Sequence, residues 1–151
     1  MTVVVGYVPT MTGLLAITEA AREAQTRETE VVVVNVVGEM GYAVSTAAEE
    51  KDLDAVTAQL TGDGISNSMH QVNSDTSAAD VILEVAQARH ASLIVLGMHQ
   101  RSWLAKRALG STVRSVALAA PCPVLVVPDV DEHVRWSETH EAPRLHSMGQ
   151  E

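Results

Sequence analysis

Four short stretches of this chain are apolar without a break: Val3–Val5, Val31–Val34, Leu93–Leu96 and Val124–Val127. A strand with one wet face alternates apolar and polar residues, so a continuous run of β-branched residues requires cover on both faces. Between these runs lie stretches with helical periodicity. Thr10 and Thr12 are N-cap candidates for a helix carrying Leu14, Leu15, Ile17, Ala21 and Ala24 and ending near Gln25. A second helix is predicted from Thr46 to about Leu60, with Ala48, Leu53, Val56 and Leu60 on one side, stopped by Thr61-Gly-Asp-Gly64. Ser74–Ser77 caps a third, bearing Ala78, Val81, Ile82, Val85 and Ala88, and Ser111–Ala119 forms a fourth. The predicted strands are Val3–Gly6, Glu30–Val37 (with Asn35 interrupting the valines), a less central Ile65–Val72, Ser92–Gly97 and Val124–Val127. Gly38–Ser45 reads as a loop. The order βαβαβαβαβ requires an α/β fold with a parallel sheet and helices on both faces. In such a sheet a ligand belongs at the carboxyl ends of the strands, where the strand order reverses.

The 151 residues suit one domain, residues 1–128, followed by a polar, acidic tail over 129–151 that reads as flexible. Phe is absent and aromatics are 3%, so the core is built from Val, Leu, Ile, Ala and Met. No apolar run is long enough to span a bilayer, and no basic segment precedes the first strand as in a signal peptide. With the single cysteine Cys122, which rules out an internal disulfide, this gives the expectation of a cytoplasmic protein. A net charge of −9 argues against nucleic acid as a partner. The charges are unevenly placed. Positions 85 to 128, 44 in all, hold no carboxylate, whereas four of the ten basic residues fall within Arg101–Arg114. Buried strands explain part of this, and a local anion site explains the rest.

That region contains Ile94-Val-Leu-Gly97, a loop, and then Gly110-Ser111-Thr112 opening a helix. Gly97 at a strand end permits close approach of a ligand to the backbone. The helix start offers free N–H groups and the positive end of a dipole to a phosphate. The hydroxyls of Ser111 and Thr112 fit two roles, phosphate donors or helix caps. Neither a P-loop nor a dinucleotide fingerprint occurs.

Gly97, twelve residues, then Gly110-Ser111 resembles the G-x-x-G-x9-G-[ST] nucleotide signature of the universal stress protein family. The closing Ala120-Pro-Cys-Pro-Val-Leu-Val-Val-Pro128 is similar to its last strand, and Ser74–Leu96 to its third helix and fourth strand. The resemblance spans about residues 2–128. It implies a single five-stranded parallel sheet of order 3-2-1-4-5 in a Rossmann-like three-layer sandwich, the adenine nucleotide alpha-hydrolase-like fold. It further implies a stress-response or signalling protein that binds ATP, with or without Mg, between strands one and four, and a homodimer formed through Val124–Val127. Carried over residue by residue, it assigns adenine to Val36 and Leu96 and phosphate and ribose to Gly97, Gly110, Ser111, Thr112 and Val113. Two departures stand out. Gln100 replaces the signature's second glycine, its side chain able either to bond phosphate or to fill the space. Val8-Pro9-Thr10 replaces an Asp-Gly-Ser whose Asp stands near adenine or the metal and phosphates, so no metal ligand is identified and ATP hydrolysis is expected to be slow at most.

Other candidates carry less. His99 in the loop fits either a phosphate contact or a solvated side chain, His70 and His90 lack partners at metal-ligand spacing, and His133, His140 and His146 read as part of a solvated tail. Cys122 between prolines reads as packing. Met40, Met69 and Met98 fit gap-filling, and Trp103 fits either a nucleotide cover or an interface. Two alternatives stay open: a non-nucleotide-binding family member acting as a dimeric interaction module, and a nucleotide-utilising enzyme on the same fold. No nucleophile–base pair can be assembled for the latter.

Overall fold

The structure is a computed structural model and describes residues 1–37, 48–73, 75–99 and 110–129. Its elements are β1 (Thr2–Gly6), α1 (Met11–Arg27), β2 (Glu30–Val37), α2 (Glu50–Gly62), β3 (Asn67–Asn73), α3 (Ala78–Ala88), β4 (Ala91–His99), α4 (Ser111–Ala119) and β5 (Val124–Asp129). The five strands form one parallel sheet of order β3-β2-β1-β4-β5. The chain winds outward from β1 through β2 to β3, then crosses back to β4 on the other side of β1. Right-handed crossovers in opposite directions place α1 and α2 on one face and α3 and α4 on the other.

The valine runs are buried as their continuity requires. Val3, Val5, Val31 and Val33 face α1 and α2, while Val4, Val32 and Ile94 face α3 and α4, all fully buried. Each such side chain contributes about 1.5–3 kcal/mol of burial free energy. The polar β3 is an edge strand, in line with its weak alternation, but it starts at Asn67 rather than Ile65, whose N–H is bonded back to the Leu60 carbonyl at the end of α2.

Three further expectations need correction. The apolar stripe of α1 is built on Gly13, Ala16, Ile17, Ala20, Ala21 and Ala24, whereas Leu14 is exposed. Small residues let α1 lie close against the sheet, and a leucine at position 14 falls outside that contact. Helix α2 starts at Glu50 rather than Thr46: Ala48 is buried, but its backbone is bonded to side chains of β2 and β3 instead of to a helix. Strands β4 and β5 each run two residues further than expected, because they pair with each other to their ends, His99 with Asp129. His99 therefore belongs to a strand rather than a loop, and Asp129 to the sheet rather than the tail. The predicted loop Gly38–Ser45 and the remainder of the tail lie outside the described residues.

Candidate functional site

The order reverses between β1 and β4, where Gly6 pairs with Leu96 on one side and Val34 on the other. The chain leaves β1 through a turn, Tyr7–Thr10, fixed from several directions. The Tyr7 N–H donates to the Val34 carbonyl at 2.8 Å, and the Asn35 side-chain amide donates to the Tyr7 carbonyl at 2.8 Å. The Thr10 N–H closes the turn onto the Val8 carbonyl at 2.7 Å. Thr10 then caps α1, its Oγ1 accepting the Gly13 N–H at 3.1 Å. Gly13 sits under the turn so closely that a Cβ there would lie 1.9 Å from the Val8 carbonyl oxygen.

Helix α4 follows β4 and begins at the same, carboxyl edge of the sheet. Its N-cap is Gly110, at φ −61° and ψ 154°, and no side chain caps the helix. The first intrahelical bond runs from the Arg114 N–H to the Gly110 carbonyl at 3.0 Å. The N–H groups of Ser111, Thr112 and Val113 therefore have no partner within the helix. The other three helices are capped: α1 by Thr10, α2 by Asp52, whose Oδ2 accepts the Glu49 N–H at 2.9 Å, and α3 by Ser77. Neither the Ser111 nor the Thr112 hydroxyl bonds a described residue, which removes the capping role from the two roles open for them. No acidic residue stands in the first turn.

The remaining expected residues divide. Val36, Leu96 and Val113 are brought together in the apolar cluster facing α3 and α4, with Ile82 and Val85. All three are buried, so what they can offer a ligand is the rim of that cluster rather than open side chains. Gly97 is crowded from the side of α1. A Cβ there would lie 2.6 Å from Thr12 Cγ2 and 2.7 Å from the Thr12 carbonyl oxygen, so a glycine at this position lets α1 approach β4. Gly110 differs: a Cβ would meet no described atom within 4 Å. Gln100 and Trp103 lie outside the described residues, as does most of the basic cluster, Arg101–Arg107.

Matched over residues 1–128, the sequence model for the universal stress protein family covers the whole described sheet but for the last residue of β5. The chain belongs to the universal stress protein family. A universal stress protein of Mycolicibacterium smegmatis is 30% identical over 126 residues, covering 83% of this chain and 95% of that protein. Two solved structures share the fold. One is the Archaeoglobus fulgidus universal stress protein in complex with dAMP (TM-score 0.62, 21% identity, 84% of this chain and 97% of that one). The other is a universal stress protein in complex with cAMP (TM-score 0.65, 22% identity, 86% and 98%).

Three residues that hold this universal stress protein's cleft were not singled out from sequence: Gly13, Tyr7 and the bonding role of Asn35. For Asn35 a signal existed, since a polar side chain within a buried strand must find partners. Tyr7 is buried beside α2, and that burial, followed by the negative charge of Asp52, raises its phenol pKa. Burial likewise pushes the Cys122 thiol up, against a smaller opposing effect of Arg27, which fits a packing role. Among the described residues no three His, Cys, Asp or Glu side chains cluster as a metal site, and no helix is long and apolar enough to cross a membrane.

Proposed function

We propose that this protein binds an adenine nucleotide, ATP, between β1 and β4, as a stress-response or signalling protein of the cytoplasm. The observation that carries the reading is the start of α4. Three backbone N–H groups and two hydroxyls without partners among the described residues stand at the carboxyl edge of the sheet, beyond the strand that borders the switch point. Such a group of donors suits a phosphate, and the absence of a first-turn carboxylate leaves the helix dipole free to act on it. Adenine is then assigned to the rim formed by Val36 and Leu96, with Val113 below the phosphates. The dAMP and cAMP complexes of structural relatives support the same ligand class. Mg would arrive with ATP, since the Val8–Thr10 turn offers no carboxylate. We assign no catalytic residue, so the role is binding rather than rapid hydrolysis.

A second reading, a dimeric interaction module without nucleotide, is favoured by Gly97, whose free space is occupied by Thr12. In either reading we assign self-association to β5, an edge strand whose Val124–Val127 are only half-buried.

Thermal shift with ATP, AMP and Mg tests the binding. Ligand at a hundred times its Kd stabilises by about 2.7 kcal/mol, a rise of roughly 8–10 °C for a domain of this size. Gly110→Trp, at a position of ordinary dihedrals that no described residue crowds, should keep the unliganded Tm and lose the rise. Ser111→Ala should weaken ATP by about tenfold, the scale of a hydrogen bond to a charged group. No rise with any adenine nucleotide at millimolar concentration would leave the interaction-module reading.

A further inference from the structure

Asn35 is the one Asn within the buried valine strand β2, and only 1% of it is exposed. Its alternation along β2 puts it on the α1/α2 face, and its side chain is bonded at both ends. Nδ2 donates to the Tyr7 carbonyl at 2.8 Å, while Oδ1 accepts the Ala48 N–H at 3.1 Å and Gln71 Nε2 at 2.9 Å. Gln71 Nε2 also donates to the Ala48 carbonyl at 2.9 Å. Two side-chain amides thus treat Ala48 as a neighbouring strand would, and join the ends of β1, β2 and β3 to the approach to α2.

The inner end of this brace acts on the cleft. Tyr7 leads directly into the turn that walls the switch point, and both of its peptide groups are held by β2, one through the Val34 backbone and one through the Asn35 side chain. On its far side the turn rests on α1, whose Gly13 carries the Val8 carbonyl and whose Thr12 fills the space at Gly97 of β4. The wall is therefore set from β2 by a polar bond and from β4 by contact. A buried bond of this kind is costly to leave half-made, so it holds the carbonyl in one direction.

We infer that Asn35 is a positioning residue for the nucleotide cleft: by holding the Tyr7 carbonyl it fixes the Tyr7–Thr10 turn before ligand arrives. The inference rests on the nucleotide reading above. Asn35 touches no ligand in it. Its contribution is preorganisation, and without it binding must also order the turn.

The test is an isothermal titration of ATP into the full chain, with unfolding temperature measured on the same samples. Asn35→Leu removes the amide at similar size. Asn35→Asp keeps an acceptor for Ala48 and Gln71 and removes the donor to the Tyr7 carbonyl. Both should weaken ATP by about five- to tenfold, the scale of the ordering cost restored to binding. Two controls destabilise the same region without freeing Tyr7: Val33→Ala, on the same strand and face, and Gln71→Leu, on the outer end of the brace. Both should bind within twofold of the unaltered protein despite a lower Tm. Should Asn35→Leu fail to fold, the smaller and uncharged Asn35→Ala decides the matter, with the same loss of ATP affinity expected. Asn35 variants that bind within twofold of the unaltered chain, or controls that lose as much, overturn the positioning role and leave the nucleotide reading standing. An unaltered chain that binds no ATP overturns both.

Discussion

Replacing Gly13 by alanine pits two effects of opposite sign against each other. In a helix, Gly→Ala ordinarily stabilises by up to about 1 kcal/mol, because glycine loses more backbone freedom on folding. Gly13 is in the first turn of α1 and has no positive φ, so conformation alone would welcome the change. Space does not. The added Cβ would lie 1.9 Å from the Val8 carbonyl oxygen, 3.0 Å from the Val8 carbonyl carbon and 3.2 Å from Tyr7 Cδ1. An ordinary carbon–oxygen contact is more than an ångström longer than the first of these, and the obstacle is backbone, which no rotamer change relieves. The turn or the helix must move, and both are bonded where they stand. Overpacking costs of about 1–3 kcal/mol apply to milder collisions, so we expect net destabilisation of at least about 2 kcal/mol. Urea unfolding followed by circular dichroism should show this as a lower midpoint at unchanged m-value, with a Tm lower by roughly 6 °C or more. A Gly13→Ala protein as stable as the parent, or more stable, would refute the close packing of the turn on α1.

Crowding is milder at Gly97. Gly97→Ala should cost about 1–3 kcal/mol in urea unfolding, and adding Thr12→Ser should recover only the share due to the Thr12 methyl, since the Thr12 carbonyl oxygen remains 2.7 Å from the new Cβ. Tyr7 governs an alkaline response. Its pKa is raised in the folded state, so its contribution to stability is complete below the unfolded value of about 10 and is lost as pH rises through that value towards the folded one. Urea midpoints from pH 8 to 11 should fall less steeply for Tyr7→Phe than for the parent protein.

Four of the five strands were readable because a sheet buried on both faces leaves a simple mark, the unbroken apolar run, whereas the order of the strands in the sheet came from the family resemblance. Glu30–Val37 and Ser111–Ala119 have in the structure the limits that sequence suggests. The start of α2 was not readable. Ala48 is buried like a helix-face residue, but side chains 13 and 23 positions away hold its backbone. Close approach was equally hidden: nothing local distinguishes Gly13 and Gly97, which α1 demands, from Gly110, which no described neighbour crowds. At the site, the glycine–hydroxyl start of α4 was visible as a motif. Its uncapped state was not, because Ser111 stands at a position where serine often caps, and only the backbone shows that Gly110 takes that place.

Everything proposed for this protein's function turns on whether a nucleotide phosphate rests on the three N–H groups that have no partner within the helix at the start of α4. Amide NMR of the full chain during titration with ATP addresses those groups one by one. The Ser111, Thr112 and Val113 amides should shift furthest and saturably, AMP should move them less, and Gly110→Trp should abolish the response. Unmoved amides at these three residues with millimolar ATP, or saturable shifts confined to another part of the sheet, would rule this phosphate site out.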